Sequence, residues 1–171
     1  MNNPELTNML QTCSLHELEM ILQMTLSREG FGDIEIMNRR LAKQKSRFGG
    51  YDLVCRRTIG SVQETIIVKI VRDTVRIRHC SELMGEIDRA GADMGLLVTP
   101  YHVCDSAVSQ LTKYTKSRFE VLDGNVLADL LTKYEIGVRG KGKIDYAYFS
   151  GLREASERII GFINKLRHEA R

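Results

Sequence analysis

Asp52 and Lys69 are the residues of this chain whose types and spacing first suggest chemistry. Asp52 stands in "GGYDLVC" (49–55), behind the only Gly-Gly pair of the sequence, and opens an apolar run. Lys69 stands in "ETIIVKIV" (64–71), a β-branched stretch that reads as a strand. Between the two runs lies "TIGS". With Gly60-Ser61 as its corner, a Gly-X pair suits a type II′ hairpin turn, and Asp52 then faces Lys69. Because strand side chains alternate, Asp52, Val54, Ile67 and Lys69 share one face, while Leu53, Cys55, Ile66, Val68 and Ile70 share an apolar core face.

A carboxylate and an ammonium side by side at a sheet edge suit phosphodiester hydrolysis. The carboxylate can hold Mg²⁺, and the ammonium can orient the attacking water or stabilise charge developing on phosphate. The same pattern also describes a plain cross-strand ion pair. Gly49 and Gly50 divide in the same way, between a tight turn and a close approach of backbone to phosphate.

The elements around this hairpin follow from periodicity. Ser14 and Glu17 form a Ser-x-x-Glu capping box, and Leu15, Leu18, Leu22, Thr25 and Leu26 recur on one face until Gly30, which predicts a helix. "DIEIM" (33–37), "YDLVCRR" (51–57), "GLLVT" (95–99) and "FEVLD" (119–123) read as strands. Residues 81–89, 102–116 and 125–134 read as helices. Alternating strands and helices after residue 64 imply some parallel pairing, and the first hairpin makes the sheet mixed.

A chain of 171 residues with 43% hydrophobic residues suits one domain with an appendage. The net charge of +3 supports no global argument for nucleic acid, but cations cluster at 39–47, at Arg56 and Arg57, and at 72–79. Lys43, Lys45 and Arg47 precede the glycine pair and could contact phosphates beside Gly49 and Gly50. Four cysteines without a C-x-x-C pair read as reduced thiols, and none of the four histidines has metal-ligand spacing. No membrane span or leader is visible, so the expected location is the cytoplasm.

The order of these parts resembles the Mrr-type branch of the PD-(D/E)-x-K nuclease superfamily. The likeness runs from residue 15 to about 137 and rests on five pieces: "LEMILQMTLSREGF", "GGYD", "IVK", "ELMGEIDRAGADMGLLVT" and "FEVLDGNVLADLL". It implies an α/β, restriction-endonuclease-like three-layer fold, with a central mixed β-sheet flanked by helices and a C-terminal helical extension. It implies that Asp52, Lys69 and Glu19 are catalytic, that Asp52, Glu19 and the Val68 carbonyl hold Mg²⁺, and that the partner is double-stranded DNA. The sequence departs from the family where Ile67 stands at the Gln/Glu position two before the lysine, so metal binding is expected to be weak. Phe48 likewise stands where the family often has an acid.

The expected organisation is a nuclease-fold domain over 1–137, a basic glycine-rich linker over 138–143, and an amphipathic helix over 144–171. That helix carries Leu152, Ala155, Ile159, Phe162, Ile163 and Leu166 on one stripe, which packs on its own domain or joins two copies as a homodimer. Two functional readings remain: a Mg²⁺-dependent DNA endonuclease, and a catalytically silenced copy acting as a DNA-binding or assembly module.

Overall fold

The structure is a computed structural model that describes residues 3–37, 50–114, 118–140 and 142–169. Its centre is a five-stranded sheet made of β1 (Gly32–Ile36), β2 (Leu53–Ile59), β3 (Val62–Ile70), β4 (Met94–Val98) and β5 (Phe119–Leu122), in that spatial order. The pairs β1/β2 and β2/β3 are antiparallel, while β3/β4 and β4/β5 are parallel. The expected mixed sheet is therefore present. The hairpin turns at Gly60-Ser61, with Ile59 opposite Val62 and Gly60 at φ 63°, the sign that the first corner of a type II′ turn requires.

Two apolar layers sandwich the sheet. On one face, Leu53, Cys55, Ile66, Val68 and Ile70 pack against α1 (Pro4–Thr12), α2 (Leu15–Arg28), α5 (Gly124–Lys133) and the first half of α6 (Tyr146–Glu169). On the other, Val54, Ile67 and Leu97 pack against Leu83 and Ile87 of α3 (Ile77–Ala90) and Ala107 of α4 (Asp105–Tyr114). The hairpin face that carries Asp52 and Lys69 is thus a second core as well as a polar edge. The reason is the parallel pairing: each β-to-β crossover needs a helix, and α3 and α4 lie on that face.

The capping box at Ser14 forms as the sequence indicates. The preceding helix α1 went unread, although Asn3 caps it, Pro4 occupies its first turn, and Leu6 and Leu10 repeat at helical spacing. Of the stretch 138–143, expected as a linker, the described residues Val138, Arg139 and Lys143 enter a short antiparallel pair, β6 (Val138–Arg139) with β7 (Lys143–Ile144). Val138 is buried, and Asn3 Nδ2 donates to the Gly142 carbonyl at 2.9 Å, so this segment is fastened to the domain. Cys13, Cys55 and Cys80 are buried free thiols, and burial pushes Cys13 and Cys55 up to about 11.

Candidate active site

The parallel strands end at one side of the sheet, and the hairpin brings the start of β2 to that side. Leu53 pairs with Val68, in the register the turn position implies, but the ladder slips one residue earlier. The Asp52 N–H donates to the Val68 carbonyl at 2.7 Å, and Asp52 Oδ2 accepts the Ile70 N–H at 2.7 Å. One carboxylate oxygen thus stands in for a missing ladder acceptor. Asp52 is only 2% exposed, and its carbonyl accepts the Met37 N–H from the end of β1. The strand edge fixes the aspartate by three backbone contacts, with the Val68 carbonyl oxygen beside it.

Lys69 is buried on the α3 face, and its Nζ donates to Glu82 Oε2 at 2.6 Å. The lysine's side-chain partner is thus a helix residue that sequence reasoning did not single out. Donation from Lys69 holds the Glu82 carboxyl below its ordinary range. One turn on, Glu86 Oε1 accepts the Gly50 N–H at 2.7 Å and an Arg89 N–H at 2.6 Å. Burial pushes Glu86 up, but those two donors outweigh it and leave the carboxyl lowered. The i, i+4 spacing puts Glu82 and Glu86 on one face of α3, one acid holding the lysine and the other the approach to Asp52. Their position beside the apolar stripe Cys80, Leu83 and Ile87 is the sequence signal that marks them.

Glu19, also buried, projects from α2, with Oε2 3.0 Å from His16 Nδ1 one turn earlier. His16 Nε2 is buried and makes no hydrogen bond. Among the described residues, no group of three or more His, Cys, Asp or Glu side chains has the geometry to hold a metal ion. Ile67 is 1% exposed and belongs to the α3-side core, so hydrocarbon fills its position. His79 closes the start of α3, its Nδ1 accepting the Arg76 N–H, as a capping residue does.

The cation clusters fall at different ends. Lys43, Lys45, Arg47, Gly49 and Phe48 lie outside the described residues. Gly50 is described, at φ 90°, and its N–H is taken by Glu86. Arg56 and Arg57 sit toward the hairpin turn and pair with Glu35 and Glu64. Arg72, Arg76 and Arg78 are exposed and follow β3, at the same end as Lys69.

Comparison with known proteins matches residues 10–131 to the family model of the Mrr catalytic domain, described as restriction endonuclease. The chain belongs to that family. Among solved structures, the Mrr fold of this chain is similar to the DNA modification-dependent restriction endonuclease AspBHI, at 18% identity and TM-score 0.62 over 89% of this chain and 40% of that one. It is also similar to the MspJI restriction endonuclease, solved in complex with a 27-mer oligonucleotide, at 14% identity and TM-score 0.55 over 82% of this chain and 31% of that one. The Mrr domain here thus spans a third to two fifths of those chains, and at these identities the likeness is one of fold. No curated protein matches the chain in sequence. No helix among the described residues is long and apolar enough to cross a membrane.

Proposed function

We propose that this chain is a cytoplasmic, Mg²⁺-dependent DNA endonuclease of the Mrr family, acting on double-stranded DNA as a homodimer joined through its C-terminal helix. The observation that carries the proposal is the buried Asp52 carboxylate, pinned beside the Val68 carbonyl at the end of the sheet where Lys69 also emerges. The donor chemistry fits a hard cation: a carboxylate and an adjacent carbonyl offer oxygen alone, and Mg²⁺ keeps several waters and can manage with one or two carboxylates. Asp52 and the Val68 carbonyl would hold the metal, with Glu19 as the supporting carboxylate from α2. When bound, the metal supplies charge neutralisation at phosphate and a more acidic water.

The chain's own groups do the rest. Lys69, held by Glu82, presents a fixed ammonium that can orient water or stabilise charge on a phosphate oxygen. Arg72, Arg76 and Arg78 supply exposed positive charge at the same end, and Lys43, Lys45 and Arg47 precede the glycine approach in sequence. The silenced DNA-binding or assembly module is the second reading, and the fully buried Ile67 is the observation that favours it.

The test is a melting curve titrated with Mg²⁺ or Mn²⁺, run beside a salt series of duplex DNA binding. The expected result is a metal-dependent rise in melting temperature that Asp52→Ala abolishes, with affinity for DNA that falls steeply with salt. A flat metal titration with intact DNA binding supports the silenced module. Absence of duplex binding at low salt contradicts both readings.

A further inference from the structure

Helices α2 and α5 leave a cavity of about 390 Å³ between them, on the sheet face opposite α3. Its floor includes Leu96 of β4 and Leu122 of β5, and its walls are Leu22 and Leu26 of α2 with Val126 and Leu130 of α5. The gap follows from how the helices are seated: α2 packs on β1, β3 and α6, and α5 on α1 and β5, so neither covers the middle of β4. Leu96 is therefore only half-buried, although it lies on an interior strand and its neighbour Leu97 is fully buried against the other face. The volume stands at the lower end of the range of small-ligand sites, and it is too small to admit a helix, which measures about 10–12 Å across with its side chains. No residue assigned to the Asp52 and Lys69 edge lines it.

Three charged side chains line the cavity, and two of them are already matched. Arg57 Nε donates to Glu64 Oε2 at 2.5 Å, and its guanidinium lies 4.8 Å above the Phe31 ring. Glu29 Oε1 accepts from Lys133 Nζ at 3.0 Å and from the Tyr134 hydroxyl at 2.6 Å. The third is Glu120. Phe119 and Val121 pack into the α3 and α4 layer, so alternation turns Glu120 to the face of Leu122, where the sheet otherwise carries hydrocarbon. Among the described residues its carboxylate has no ion-pair partner. An inward acid also blunts a sheet edge, and β5 ends the sheet, but this acid stands beside an open apolar cavity. With Arg57 balanced by Glu64 and Glu29 by Lys133, one negative charge at the cavity is left unmatched. It repels a carboxylate or phosphate head and attracts an ammonium.

We infer that this cavity is a binding site for a small organic cation, its hydrocarbon body held between α2 and α5 and its ammonium group at Glu120. The site stands independently of the nuclease reading. The apolar body supplies most of the affinity, at about fourfold for each CH₂ buried. The exposed acid selects the head group and adds at most about fivefold.

The test is a methyl NMR titration of the full chain with butyl-, hexyl- and octylammonium, beside octanol and octanoate. Saturable shifts at Leu96, Leu122 and Leu130 are expected, with affinity rising about fourfold per added CH₂ until the cavity is full. Octylammonium should bind more tightly than octanol, and octanol more tightly than octanoate. Glu120→Gln should erase the advantage of the ammonium over the alcohol and leave the alcohol bound. Val126→Trp, at a position 42% exposed, should weaken every probe while keeping the melting temperature. Absence of saturable shifts at these leucines overturns the inference. Octanoate binding as tightly as octylammonium overturns it too and assigns the head group to Arg57. An ammonium preference that survives Glu120→Gln likewise contradicts it. Should Glu120→Gln leave binding unchanged and instead make the chain self-associate, the acid guards the strand edge and the inference fails.

Discussion

Lys69 Nζ lies 2.6 Å from Glu82 Oε2, so the lysine of the candidate site is tied to helix α3 by an ion pair that crosses from sheet to helix. The lysine side chain is 8% exposed and the glutamate 41%, which places the pair between a surface bridge and a buried one. Glu82→Gln should cost about 1 kcal/mol in chemical denaturation at neutral pH. Because the folded Glu82 carboxyl is lowered from its ordinary value of 4.5, the pair's contribution is present above that pH and is lost as pH falls through the lowered value. Melting curves of wild type and Glu82→Gln should therefore differ at pH 7 and converge in strong acid. A constant gap at every pH would assign the effect to packing.

Glu86 should act on Asp52 through the backbone. It is buried and accepts the Gly50 N–H two residues before Asp52, with Arg89 as its second donor. Glu86→Ala leaves that N–H without its acceptor and is expected to cost about 1–3 kcal/mol. Glu86→Gln retains an acceptor oxygen and should cost less. If the bond positions Asp52, the metal-dependent rise in melting temperature should shrink in Glu86→Ala and largely return in Glu86→Gln. Equal responses in both variants would make Glu86 a matter of stability alone.

Gly95 allows α3 to lie close on the sheet. A Cβ there would come within 2.7 Å of Ile87 Cδ1 and 3.0 Å of Leu83 Cγ. Gly95→Ala should overpack this layer and lower stability by about 1–3 kcal/mol, read by urea denaturation. Gly161→Ala, with open space at its Cβ, should raise the unfolding free energy by up to about 1 kcal/mol.

The hairpin was legible because its turn, period and strand composition agree: Gly60-Ser61 sets the register, and alternation sorts Val68 from Ile67. The same logic could not see that Asp52 leaves the ladder, since a one-residue slip is set by the side chain's bond to the Ile70 N–H. Nor could it pair Lys69 with Glu82, because strand spacing says nothing about which helix side chain crosses above. Both faces of β3 are core because two crossover helices cover one of them, a tertiary fact absent from the local pattern. The short β6/β7 pair hid behind glycines and cations that usually mark a loose segment, although Val138 is buried. Lys43, Lys45 and Arg47 lie outside the described residues and enter only through the sequence.

Ile67→Glu separates the two functional readings at a stability cost. The residue is 1% exposed, in the α3-side core with Val54, Leu83, Ile87 and Leu97, so a carboxylate there should cost about 3 kcal/mol without metal. Metal bound by the new oxygens should recover part of that loss, making the Mg²⁺-dependent rise in melting temperature larger than in wild type. A variant whose melting temperature ignores metal would show that position 67 does not face the ligand-binding edge.

Cleavage of supercoiled plasmid by wild-type protein, with and without Mg²⁺, tests the central claim most directly. The expected result is nicked and linear product with Mg²⁺, none with EDTA, and none from Asp52→Asn or Lys69→Ala variants confirmed as folded by their melting curves. Intact plasmid with wild type but product with Ile67→Glu would identify a silenced nuclease. Cleavage undiminished by Asp52→Asn would contradict the assignment of this edge as the active site.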